Sequence, residues 1–245
     1  MDKLPKVSIL TPTYDRRRFL EMMVANLYNM KYPKELLEWV ICDSYSTTGH
    51  KAEPLFKNKN EQNELSSALG IEIRYEYLDR EMSIGEKRNW LVKNSKYDVL
   101  INMDSDDIYL PDYVFYSVGM LKFNKRTLVG SPQMLFIYPL NDYKMTFINC
   151  PANRQIHEAT MCFTRKHFRK MGGFLKSGNG EGAGMVDGCR DKDFEKTDIS
   201  KCMVCIFHEH NTCPKDKFLK DELLVDLKMD GDQFRILRKM FQKHP

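Results

Sequence analysis

Across its first 104 residues the chain sets four short apolar runs apart by three stretches of helical spacing. Lys6 to Leu10 is apolar enough for a short strand, which Thr11-Pro12-Thr13-Tyr14 is expected to break into a loop. Arg16 to Met30 then sets Phe19, Met22, Met23, Leu27 and Met30 at helical intervals until Pro33 stops it. Leu36 to Cys42 is a second buried run, ending at Asp43. Ser44 to Asn63 is polar and turn-rich, with a helix expected around Glu61 to Leu69. Ile71 to Leu78 alternates apolar and polar as a third strand. Ser83-Ile84-Gly85 opens a helix through Lys93, and a fourth apolar run leads into Asp104. Strand and helix in strict alternation predict an α/β fold: a mostly parallel sheet with right-handed crossovers.

The second half is less regular. Tyr113 to Phe123 reads as a helix. Leu128 to Leu140 and Lys144 to Asn149 read as strands around an Asn141-Asp142 turn. Thr160 to Thr164 is another strand, and Lys166 to Met171 a helix stopped by Gly172-Gly173. Lys176 to Gly188 is a glycine-rich loop carrying Glu181 and Asp187. Lys201 to Phe207 is a last buried strand that delivers His208 and His210. Beyond Pro214 two amphipathic helices are expected, Phe218 to Leu227 and Phe234 to Phe241. The expected organisation is one domain over 1–212, regular to about 112 and less regular after it, and a helical extension over 213–245.

Charge is almost balanced, 38 basic against 34 acidic residues, with no basic block of the kind that grips nucleic acid. No apolar run nears the roughly 20 residues that span a bilayer. The opening MDKLPKVSIL lacks the long apolar region of a signal peptide. Seven scattered cysteines, an odd number, favour a reducing compartment over a disulfide scaffold. A soluble cytoplasmic enzyme, or one peripheral to a membrane, is the expectation.

The chemistry centres on Val99 to Pro111, VLINMDSDDIYLP. Asp104, Asp106 and Asp107 arrive directly after a buried strand. In extended chain, positions i and i+2 face one side, so Asp104 and Asp106 can point together at the strand's carboxyl end, where open α/β sheets bind ligands. Clustered carboxylates repel unless a cation lies between them, and Mg²⁺ or Mn²⁺ completed by phosphate oxygens meets that need. An acidic solvated loop capping the next helix is the alternative.

Taken in order, TPTYDR after a strand, LEWVICDSYS, GEKRN opening a helix, NMDSDDIYLPD, a GGF turn, an acidic glycine-rich loop and a strand ending in His resemble the family 2 glycosyltransferases of GT-A fold, over roughly residues 5 to 212. The resemblance implies transfer of a sugar from a nucleoside diphosphate sugar, UDP-linked as first choice, to an acceptor hydroxyl, with inversion and with Mn²⁺ or Mg²⁺. It assigns metal coordination to Asp106 first, with Asp104, Asp107 and His208 as further ligands. Thr11, Pro12 and Tyr14 would pack on the base and Asp43 would bind it. Ser44 stands where many relatives carry a second acid. Lys87 and Arg88 would contact diphosphate or ribose, Asp104 and Ser105 would border the donor, and Gly85 would let the backbone approach it. One base must take the acceptor's proton. Glu181 holds the matching position, with Asp187 as competitor, although the family's usual Glu-Asp pair is missing. Asn153, Arg154, His157 and Glu158 are acceptor-side candidates by position. The oligomeric state has no sequence signal.

Three other readings stand beside this one. Cys202, Cys205, His208, His210 and Cys213 have partial zinc-knuckle spacing, but on a stretch patterned as a strand. A sugar-phosphate nucleotidyltransferase should carry a glycine-rich loop after the first strand, and TPTYDRRR has no glycine. A non-catalytic sugar-binding relative would retain the fold without turnover.

Overall fold

The computed structural model describes residues 3–45, 53–150, 156–209, 211, 216–227 and 231–242. In chain order the first half contains β1 (Val7–Thr13), α1 (Leu20–Asn29), β2 (Leu37–Tyr45), α2 (Lys59–Leu69), β3 (Glu72–Glu81), α3 (Ile84–Asn94), β4 (Val99–Asn102) and β5 (Ile108–Tyr109). The second contains α4 (Tyr113–Phe123), β6 (Leu128–Gly130), β7 (Gln133–Tyr138), β8 (Lys144–Asn149), β9 (Cys162–Thr164), α5 (Arg165–Met171), α6 (Ala183–Val186), β10 (Phe194–Lys196), β11 (Met203–Ile206) and α7 (Asp232–Phe241). Among the described residues the strands form two sheets, ordered β10-β6-β9-β4-β1-β2-β3 and β5-β11-β7-β8.

β1, β2, β3 and β4 run parallel, with antiparallel β9 breaking the pattern beyond β4. The chain moves outward from β1 to β2 to β3, then crosses back to lay β4 on the other side of β1. That reversal opens a crevice beyond the carboxyl ends of β1 and β4, the usual ligand position in such sheets. All seven residues of β1 are buried, as expected for a central strand covered on both faces. In the second sheet β11 lies between β5 and β7 and pairs with them in antiparallel and parallel fashion respectively.

Several expectations are corrected. Thr11, Pro12 and Thr13 continue β1 instead of forming a loop, paired with Ile41, Cys42 and Asp43. The single strand expected over Leu128 to Leu140 is two, because Ser131-Pro132 carries the chain from one sheet to the other; proline cannot donate to a ladder. The helix expected over Phe218 to Leu227 is absent: two short 3-10 turns, Asp216–Phe218 and Asp221–Leu223, precede a bridge from Leu224 to Thr146. The second expected C-terminal helix is present as α7, with Leu237 fully buried. Its Gln233 amide donates to Asn26 Oδ1 (3.0 Å) and to the Tyr109 carbonyl (2.7 Å), fastening α7 over α1 and β5. No helix among the described residues is long and apolar enough to cross a membrane.

Candidate active site

β1 delivers Tyr14 and then turns sharply. Asp15 takes φ 51°, a left-handed conformation that Asp tolerates better than most residues. The turn throws Arg16 across the crevice, where its Nε lies 3.2 Å from Asp106 Oδ2. A cleft of about 320 Å³ lies here, lined by Pro12 and Thr13 at the end of β1, Tyr14 and Arg16 just beyond it, Ser83, Ile84 and Lys87 from the start of α3, and Asp104, Ser105 and Asp106. Gly178 and Asn179 from the glycine-rich loop close one side. Ser83 and Glu86 form a reciprocal capping box that fixes the first turn of α3 against this cleft.

The three clustered carboxylates have different surroundings. Asp106 Oδ2 receives both Arg16 and His208 Nε2, the latter at 3.0 Å. Asp104 is held by Arg88: Nη2 donates to Oδ2 at 3.0 Å, and Nη1 lies 2.9 Å from Oδ1, close enough to pair but without hydrogen-bond alignment. Asp107 turns inward, where its Oδ1 accepts from the Ile206 backbone N–H at 3.0 Å and so ties β11 to the acidic turn. His208 is buried against Phe19, and burial lowers its pKa while the bond to Asp106 works the other way. Arg18 Nη2 lies 3.3 Å from its Nδ1.

A divalent ion fits this donor set only in part. Asp106 and His208 already converge, an oxygen and a nitrogen suited to Mn²⁺, and Arg16 shows that a cation is accommodated at the carboxylate. Among the described residues no group of three or more His, Cys, Asp or Glu side chains is placed to hold an ion. Diphosphate oxygens and water would have to supply the remaining positions, as is common for Mg²⁺ sites.

The other expected residues divide between cleft and support. Pro12, Tyr14, Lys87, Asp104, Ser105 and Asp106 line the cleft together. Thr11 is buried beneath it, its hydroxyl accepting from Trp39 Nε1 at 2.8 Å. Asp43 is also buried, with Oδ2 accepting from the Leu55 N–H and the Tyr75 hydroxyl, both at 2.9 Å. Burial raises the Asp43 pKa, and these two bonds restrain the rise. Arg88 is 2% exposed and bridges Asp104 to Glu181, whose Oε1 accepts from its Nε at 2.7 Å. Burial works against the Arg88 charge, and the two carboxylates more than offset it. Glu181 is itself 4% exposed, whereas Asp187 is exposed at the far end of α6. Gly85 does permit a close approach, but to the chain itself: a Cβ there would run into the Leu175 carbonyl oxygen.

Sequence reasoning missed Arg16 and Arg18 as site residues and read them only as the start of a helix. The run of three arginines after a parallel strand was the available signal. The zinc-knuckle spacing gathers no ion site among the described residues; Cys202 Sγ turns to the Asp198 carbonyl and Cys205 Sγ lies 3.8 Å from His157 Nε2. His210, Cys213, Asn153 and Arg154 lie outside the described residues.

Residues 8–197 match the sequence model of glycosyl transferase family 2. In fold, the chain is similar to mannosyltransferase PcManGT from Pyrobaculum calidifontis, solved in complex with GDP-Man and Mn²⁺: TM-score 0.62 at 17% identity, covering 87% of this chain and 59% of that one. It is also similar to residues 1–349 of S. aureus TarS in complex with UDP-GlcNAc, with TM-score 0.59 at 12% identity, covering 84% and 60%. The chain thus spans about three fifths of the length of each of these structures. No curated protein sequence matches it.

Proposed function

The chain belongs to glycosyl transferase family 2, and from that premise we propose that it moves a sugar from a nucleoside diphosphate sugar, a UDP-sugar by preference, to an acceptor hydroxyl with inversion, using Mn²⁺ or Mg²⁺. One observation carries the reading: Asp106, His208 and Arg16 converge beside a cleft at the reversal point of a parallel sheet. Both similar structures are complexes with nucleotide sugars, one of them also with Mn²⁺, which supports the same class of donor here.

The roles follow from placement. Pro12 and Tyr14 form an apolar wall suited to a nucleobase, and Lys87 and Arg16 bring positive charge to the diphosphate. Asp106 and His208 would hold the ion, with Asp104 beside them, and Asp107 would keep β11, hence His208, in place. The bound ion would supply stabilisation of the charge that develops on the departing diphosphate. Arg88 sets the position of Asp104 and Glu181 together and so would act on the donor through them.

The test is a panel of UDP- and GDP-sugars assayed for nucleoside diphosphate release with Mn²⁺, with Mg²⁺ and with excess chelator. Release that requires the ion is expected. Asp106→Ala should reduce it by about 10²-fold or more while circular dichroism is unchanged, the scale for losing a principal electrostatic stabiliser. Full turnover in excess chelator would remove the metal from the scheme. Absence of turnover with every donor, beside intact nucleotide binding, would favour the non-catalytic relative.

A further inference from the structure

Glu181 is linked to the acidic cluster through Arg88, yet its geometry suits support better than proton transfer. It is almost fully buried, and its Oε1 is engaged by the Arg88 guanidinium at 2.7 Å. A carboxylate held by a buried arginine is a weak proton acceptor, because accepting a proton would give up that charge-assisted bond and leave Arg88 to Asp104 alone. The next residue is Gly182, where the family's Glu-Asp pair would place its second acid.

The space above Gly182 is filled from elsewhere. A Cβ on Gly182 would come within 2.5 Å of Glu158 Cγ and 2.9 Å of Glu158 Oε1. Glu158 opens the 3-10 turn Glu158–Thr160 just before β9, and its carbonyl accepts from Asn102 Nδ2 at 2.8 Å. Asn102 ends β4, two positions before Asp104, so the turn is fastened to the strand that carries the acidic cluster. The Asn102 Oδ1 is fully buried without a hydrogen-bond partner among the described residues. Glu158 is half-buried, and the backbone N–H groups of Glu158 and Gly182, with Arg88, favour its charged form. The charged and titratable groups facing it are Glu181, Arg88 and the Cys150 thiol.

We propose that Glu158, reaching over Gly182 from a different part of the chain, is the residue that removes the proton from the acceptor hydroxyl, with Glu181 as a positioning residue that acts through Arg88. The inference rests on the transferase reading above. In the step, the acceptor O–H proton passes to the Glu158 carboxylate as the acceptor oxygen bonds to the anomeric carbon. The bond from that carbon to the diphosphate oxygen breaks, its electron pair leaves with the diphosphate, and Glu158 later returns the proton to solvent. Burial first, then the charge on Glu181, raises the Glu158 pKa, so the protonated product of this step relieves the repulsion between the two acids.

The experiment compares Glu158→Gln, Glu181→Gln, Glu158→Ala and the double variant Glu158→Ala with Gly182→Asp. In Glu158→Gln, kcat for transfer should fall by about 10²–10⁴-fold, the range for losing a general base, while the affinity for UDP with Mn²⁺ is unchanged. The acid limb of its kcat–pH profile should vanish, whereas Glu181→Gln should retain that limb. The double variant, which returns an acid to the family's position in the space vacated by Glu158, should be faster than Glu158→Ala. Independently of turnover, NMR titration of carbon-labelled glutamates should show a carboxyl titrating above the ordinary range, absent from Glu158→Gln. A Glu158→Gln variant transferring at the wild-type rate, or keeping that high-titrating carboxyl, would overturn the assignment to Glu158 alone. A wild-type chain that releases nucleoside diphosphate from no nucleotide sugar sinks the transferase reading instead, and with it the step given to Glu158.

Discussion

Lys87 shows how one residue can tie two strands together and still face the cleft. Its Nζ donates to the carbonyls of Thr13 (2.8 Å) and Ser44 (2.9 Å), joining the carboxyl ends of β1 and β2 while facing the cleft. Burial pushes its pKa down to about 8, the nearby Cys42 and Asp43 opposing the shift. A lysine with a lowered value loses its charge as pH rises through about 8, so attraction for a diphosphate should weaken over that interval. Affinity for UDP should fall about fivefold between pH 7 and pH 9, the roughly 1 kcal/mol of a partly screened charge pair, and the fall should be absent in Lys87→Met, as titration calorimetry can establish. Stability has the opposite sign: between about 8 and the ordinary 10.5 the unfolded chain binds more protons at this position, so Lys87 alone makes folding more favourable as pH rises. Legibility at this scale was uneven. Asp104 and Asp106 could be read because an apolar strand must end somewhere and carboxylates there are conspicuous. Glu158 could be named only by position, because its relation to Gly182 spans a fold-level contact and no local spacing encodes it.

Gly85 sets the fit between two elements, the start of α3 and the loop that follows Phe174. Its N–H donates to the Ser177 carbonyl at 3.2 Å, and a methyl group here would meet Leu175 backbone and then Glu181 Cβ at 3.1 Å. Gly85→Ala should therefore cost about 1–3 kcal/mol, as overpacking against backbone does. It should also shift Glu181 against Arg88, so the urea midpoint and the transfer rate should fall together. Most elements were readable from periodicity: α4 lies where its apolar pattern placed it, at Tyr113–Phe123, and so does β8 at Lys144–Asn149. The errors share a cause. Leu128 to Leu140 is one apolar run serving two sheets, and Phe218 to Leu227 has helical composition but is drawn out to bridge β8. In both cases the partner surface, distant in sequence, overrode the local pattern.

Over the whole molecule, α7 acts as a brace. Leu237 is fully buried, and Gln233 reaches the Tyr109 carbonyl, while the Tyr109 hydroxyl accepts from the Asp104 N–H at 2.7 Å. Leu237→Ala should destabilise the fold by about 2–5 kcal/mol through the cavity left behind, measurable by denaturant unfolding, with the loss appearing first at temperatures near the wild-type midpoint. The site it steadies is assembled from remote pieces: Arg88 meets Glu181 across 93 positions, and Asp106 meets His208 across 102. That separation has a meaning in time. On a ribosome adding about 5–20 residues per second, Asp106 is made roughly 5–20 seconds before its histidine. β4 and its acidic turn must therefore wait for β11 to be threaded between β5 and β7. During that interval Arg16, made earlier still, is the counter-charge already at hand for Asp106. A nascent chain thus has a way to keep this acidic turn neutralised until β11 arrives.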